Sequence, residues 1–95
     1  MHRRVLYREN GKFYILDGKT QPNGKIEVML FSVRNSKIPY NEATNPFNIP
    51  SRKIDWKKGE LIGIYATEEE ANDQMDYYLE STWIVSENRR AYADT

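Results

Sequence analysis

Glu68, Glu69, Glu70, Asp73 and Asp76 form the one dense set of carboxylates in the sequence, and paired carboxylates are what glycosidases and magnesium sites work with. Either chemistry needs a buried setting that shifts a carboxyl group away from its ordinary titration range. At helical spacing Glu69, Asp73 and Asp76 fall at i, i+4 and i+7, on a side that looks to solvent. The set therefore reads as an exposed acidic stripe whose use would be to dock a basic partner surface. A carboxylate-dependent metal site or hydrolase is kept as a remote alternative.

The segment Ser51-Arg52-Lys53-Ile54-Asp55-Trp56-Lys57-Lys58 places four cations around a tryptophan, an arrangement that stacks on nucleobases or fills a pocket in a protein partner. Against that use, Ile54 and Trp56 alternate with charged neighbours as the inward face of a short strand would, and the pattern favours Trp56 as a core residue with the lysines solvated. His2 is the only histidine, cysteine is absent, and His2 stands where chain ends fray, which leaves no basis for a Ser-His-Asp arrangement or a histidine-ligated metal. No Gly-rich phosphate loop or HExxH motif occurs. No catalytic residue, metal or cofactor is assigned, and the chain is expected not to be an enzyme.

Charge is segregated along the chain. Residues 1–59 carry twelve basic against five acidic side chains, a balance of +7, and residues 60–95 carry two against nine, a balance of −7. Folding is expected to bring the halves together into ordinary surface pairs rather than to hold them as opposed patches. No stretch approaches a membrane span and the start lacks an apolar leader segment, so a cytoplasmic protein is expected.

The elements that must position these residues follow from turn chemistry and periodicity. Asn10-Gly11 between Val5-Leu6-Tyr7 and Phe13-Tyr14-Ile15-Leu16 predicts a hairpin with a type I′ turn. Asp17-Gly18 is read as the end of the second strand, Pro22-Asn23-Gly24 as a turn, and Ile26 to Val33 as the longest and central strand. Residues 35–59 hold Pro39, Pro46 and Pro50 with many Asn and Ser, yet also Ile38, Tyr40, Phe47, Ile49, Ile54 and Trp56. They form a long excursion that packs by its own apolar side chains.

Leu61 to Ala66 is read as a buried strand, and Thr67 with Glu70 as the capping box of one helix whose inner face is Ala71, Met75, Tyr78 and Leu79. Trp83-Ile84-Val85 is read as a last strand and 87–95 as a mobile tail. The nine residues from Gly63 to Ala71 resemble the strand-to-helix junction of the plant AP2-type and phage-integrase amino-terminal DNA-binding domains. That family reads DNA from arginines and tryptophans on an exposed three-stranded sheet. Here Arg3, Arg8, Lys12 and Lys25 lie near strand ends and the excursion has no counterpart, so membership is not assigned.

The expected architecture is one α+β domain over 1–95, β-β-β-excursion-β-α-β, with an antiparallel sheet of four to five strands and one amphipathic helix on one face. Tyr7, Tyr14, Met29 and Phe31 are placed on the face away from the helix, covered by the excursion or by another chain. The expected function is a small protein-interaction module, an inhibitor or adaptor of the kind phages and mobile elements carry, able to self-associate. Its contact residues are assigned as Tyr40, Phe47, Arg52, Lys53, Trp56, Lys57, Lys58, Glu69, Asp73 and Asp76. Nucleic acid bound through the basic segment is the second choice, and no membrane is expected among the partners.

Overall fold

The Asn10-Gly11 turn forms as expected: both residues take positive φ, 51° and 78°, the backbone that matches the twist of the strands it joins. It links β1 (His2–Glu9) to β2 (Lys12–Thr20) in register from Glu9 opposite Lys12 to His2 opposite Lys19. The computed structural model describes residues 1–34 and 37–86, with side chains through Glu80. Gly18 does not end β2, which runs on to Thr20. Its role is to give room, because a Cβ there would lie 2.8 Å from the sulfur of Met75.

A turn at Gln21 to Lys25, with Gly24 at φ 85°, leads into β3 (Ile26–Ser32). After the excursion the chain returns as β4 (Glu60–Tyr65), antiparallel to β3, so the sheet order is β1-β2-β3-β4. Thr67 Oγ1 then accepts the amide of Glu70 at 3.2 Å and opens a helix over Glu68–Ser86. The fold is α+β, a four-stranded open antiparallel sheet with one main helix. The last strand expected at Trp83-Ile84-Val85 is not there: those residues continue the helix, since neither glycine nor proline breaks the run from Ala71 to Ser86. The expected tail over 87–95 lies outside the described residues.

Each sheet face carries its own apolar layer. On the helix side Val5, Tyr7, Leu16, Ile26 and Val28 pack with Ala71 and Met75, joined by Tyr14, Tyr78 and Leu79. On the other side Leu6, Phe13, Ile15, Phe31 and Val33 pack with Ile38, Ile49 and Ile54 of the excursion. Tyr7 and Tyr14 are therefore on the helix side, contrary to expectation. Their register, Tyr7 opposite Tyr14, puts both rings on one face, where they stack at 5.4 Å and Tyr7 meets Tyr78 at 6.0 Å. Met29 and Phe31 do lie on the excursion side.

The excursion is built from four short helical turns, three of them started by its prolines. A helix over Tyr40–Thr44 follows Pro39, a 310 turn over Pro46–Asn48 is capped by Asn45, a second over Ser51–Lys53 follows Pro50, and a third spans Trp56–Lys58. Proline's fixed φ suits the start of a helical turn. Ile54 returns alongside Val33, with the amide of Arg34 donating to the Lys53 carbonyl at 2.7 Å and that of Asp55 to the Ser32 carbonyl at 3.0 Å.

Burial of Tyr7, then the nearby Glu9, pushes its phenol well above the ordinary value of 10.0. A group whose folded value is raised loses its stabilising effect as pH rises above the unfolded value. Stability is therefore expected to fall as pH rises above about 10, and Tyr7→Phe to flatten that slope. Urea titrations at several alkaline pH values measure it; an unchanged slope in the variant would show that other groups govern alkaline unfolding.

Candidate functional site

Strand register places two rows of side chains on the excursion side of the sheet. Arg4, Asp17, Met29 and Leu61 are neighbours across the four strands, and His2, Lys19, Glu27 and Ile64 form the next row. The excursion covers the end of this face that holds Leu6, Phe13, Ile15, Phe31 and Val33. Over these two rows its cover thins, with Arg4 and Asp17 still largely covered and Leu61 and Ile64 exposed, and Phe47 and Trp56 stand at its margin.

Arg4 holds that margin together. Its guanidinium lies 4.9 Å from the Phe47 ring centroid and 5.6 Å from that of Trp56, the geometry in which a cation is drawn to an aromatic face. Arg4 Nε donates to Asp17 Oδ1 at 3.1 Å, and His2 Nε2 lies 2.8 Å from the same oxygen. The His2 ring meets Phe47 edge-on at 4.9 Å. His2 is therefore part of a strand and a cluster, not a frayed end; the Met1 ammonium, bonded to Thr20 Oγ1 at 2.8 Å, ties the terminus down.

Trp56 is not a core residue. Its indole N–H donates to the carbonyl and hydroxyl of Ser51 at 3.0 and 2.8 Å, and its ring meets Phe31 edge-on, yet 43 % of it is exposed. The strand-like alternation holds for Ile54, which is buried, and then fails, because the chain turns into a 310 helix at Trp56. Gly59 permits the return to β4: a Cβ there would lie 2.5 Å from the Phe31 ring.

Leu61 and Ile64 extend the apolar surface beyond Trp56, with 52 % and 55 % exposed, so β4 is an edge strand and not a buried one. Residues three apart point to opposite faces of a regular strand. A bulge opposite Val28 and Met29 takes up one residue of β4, and Leu61 and Ile64 thereby share a face, as bulges re-aim side chains. The sequence carries no signal for this, since the bulge depends on the pairing with β3. Arg4, His2 and Asp17 were also missed, because their meeting depends on register.

The other assigned contact residues divide. Tyr40, Arg52, Lys57 and Lys58 are exposed on the excursion, and no ion pair engages these three cations among the described residues. Lys53 turns inward, its Nζ 3.2 Å from both carboxylate oxygens of the buried Glu42. Glu69 and Asp73 are exposed on the helix. Asp76 accepts from Arg3 at 2.6 Å, and Arg3 also donates to Asn72.

Helix and excursion lie on opposite faces of the sheet, so the acidic stripe and the basic segment are held apart. Two of the described ion pairs join the halves of the chain, the Met1 ammonium with Glu68 and Arg3 with Asp76; the pairs of His2, Arg4, Arg34 and Lys53 stay within the first. The halves thus meet at Met1 and Arg3, while Arg52, Lys57 and Lys58 of the excursion keep to the face opposite the acidic helix.

Among the described residues no group of three or more His, Cys, Asp or Glu is placed to hold a metal ion, and no helix is long and apolar enough to cross a membrane. Comparison of the chain with protein-family models, curated proteins and solved structures finds no match.

Proposed function

We propose that this chain is a non-enzymatic protein-interaction module that engages its partner through Phe47, Trp56, Leu61 and Ile64, rimmed by Arg52, Lys57 and Lys58, as an inhibitor or adaptor would. The observation that carries the reading is the run of exposed apolar side chains along the edge of the excursion and onto β4. Exposed apolar surface with a charged rim is typical of protein contacts. Trp56 with its cations also suits nucleic acid, but the aliphatic pair on β4 offers nothing to phosphates or bases and favours a protein.

Leu61→Ser with Ile64→Ser removes the aliphatic part at exposed positions, where substitutions usually change stability by no more than about 0.5 kcal/mol. Affinity capture from nuclease-treated lysate is expected to retain a protein on the wild-type chain and to lose it on this folded variant. Retention of the same proteins by both would discard the surface. Retention abolished by nuclease, with binding to single-stranded nucleic acid that falls steeply with salt, would transfer the reading to nucleic acid.

A further inference from the structure

The apolar strip needs a partner that is acidic and presents an apolar side chain, and the chain itself carries such a surface. On the helix Glu69, Asp73, Tyr77 and Glu80 recur at i, i+4, i+8 and i+11, within one narrow stripe, and all four are exposed. Tyr77 is the most exposed of the large apolar side chains there. This stripe points away from the face of Ala71 and Met75 that packs on the sheet.

The geometry points to head-to-tail association of this chain with itself: the outer stripe of the helix in one copy docks on the Trp56, Leu61 and Ile64 strip of the next. The proposal rests on the reading of that strip as a protein contact and names its partner. Three observations carry it. Arg52, Lys57 and Lys58, without ion-pair partners among the described residues, together with Lys19 outnumber the acidic Glu27 and Glu60 beside Ile64 and Leu61, and the stripe is acidic, so the two are complementary in charge. Both have an apolar centre, Tyr77 on one and Leu61 with Ile64 on the other. Within one copy the sheet stands between them, so they cannot neutralise each other there.

Two different surfaces in contact make a heterologous interface, and these two face opposite ways across the sheet. Each added copy therefore offers a fresh strip or stripe, and growth does not close at two. The formal net charge of zero means that no overall repulsion opposes it.

Sedimentation of the full chain tests this. At an ionic strength of about 0.03 M the average mass is expected to rise with concentration past that of a dimer, and to fall to the 11.2 kDa monomer at about 0.5 M as the charges are screened. Arg52→Glu with Lys57→Glu and Lys58→Glu should weaken association at least about tenfold, and so should Glu69→Lys with Asp73→Lys and Glu80→Lys. Mixed in equal amounts, the two variants should associate again, because the first keeps the acidic helix and the second the basic strip. That recovery also shows both to be folded.

A chain that is monomeric at every salt concentration overturns the proposal, as does a dimer that saturates at two copies or association indifferent to both charge reversals. If the chain stays monomeric while Leu61→Ser with Ile64→Ser still loses a captured protein, the second copy is wrong and the contact strip stands. If both experiments fail, strip and partner fall together.

Discussion

Phe13→Ala is expected to lower the free energy of unfolding by about 3–5 kcal/mol, and Ile54→Ala by about 2–5 kcal/mol. Phe13 is almost wholly buried on β2, and Ile54 is buried in the excursion, both in the layer opposite the helix. The two losses have the same cause. Each truncation removes apolar atoms from a packed layer and leaves a cavity that the sheet on one side and short proline-started turns on the other cannot fully close.

Ile54 is the more decisive site, because a residue in a solvated connection would change stability by no more than about 0.5 kcal/mol. Urea denaturation at unchanged m-value measures both. A shift that small for Ile54→Ala would mean that residues 37–59 do not form a layer of the core. Met75→Ala, in the helix-side layer, should add to Phe13→Ala with little coupling, since the sheet separates the two clusters.

That the excursion forms a layer was legible in its composition. Ile38, Ile49 and Ile54 are too apolar for a solvated linker, and all three are buried. The hairpin at Asn10-Gly11 and the cap at Thr67 were legible for a similar reason: each depends on residues within a few positions of one another. What depends on pairing between strands was not legible. The periodicity of β1 and β2 predicts that each has two faces, but not which face meets the helix, and so Tyr7 and Tyr14 were misplaced.

The same limit governs the site. Leu61 and Ile64 come to one face through a bulge against β3, and Arg4 reaches Phe47 and Trp56 because β1 pairs with β2 in one register. Trp56 shows the other kind of failure. Alternation of apolar and charged residues is a sound guide while the chain is extended, and it stops applying where a 310 turn begins. The helix likewise overrides the β-prone run Trp83-Ile84-Val85, since nothing before it ends the hydrogen-bonded ladder.

Lys53→Met is expected to lower stability by about 3 kcal/mol at neutral pH, although Lys57 and Lys58, close by in the same basic segment, should tolerate the change almost without cost. Lys53 is the cation facing Glu42, whose side chain is only 9 % exposed, and both its carboxylate oxygens lie 3.2 Å from the ammonium. Removing the lysine leaves a buried charge without its counter-charge, which costs much more than the pair itself contributes. Replacing both residues, Glu42→Met with Lys53→Met, should recover most of the loss, because an apolar pair of similar volume carries no desolvation penalty.

The double-mutant cycle by urea denaturation therefore gives a strong coupling of opposite sign to the single losses. Equal and additive effects of the two single substitutions would show the pair to be a surface contact. The distinction matters for function: Lys53 ties the Ser51–Lys53 turn to the Tyr40–Thr44 helix, whereas Arg52, Lys57 and Lys58 remain available to a partner. Lys57→Met with Lys58→Met should accordingly change binding and leave the unfolding midpoint where it was.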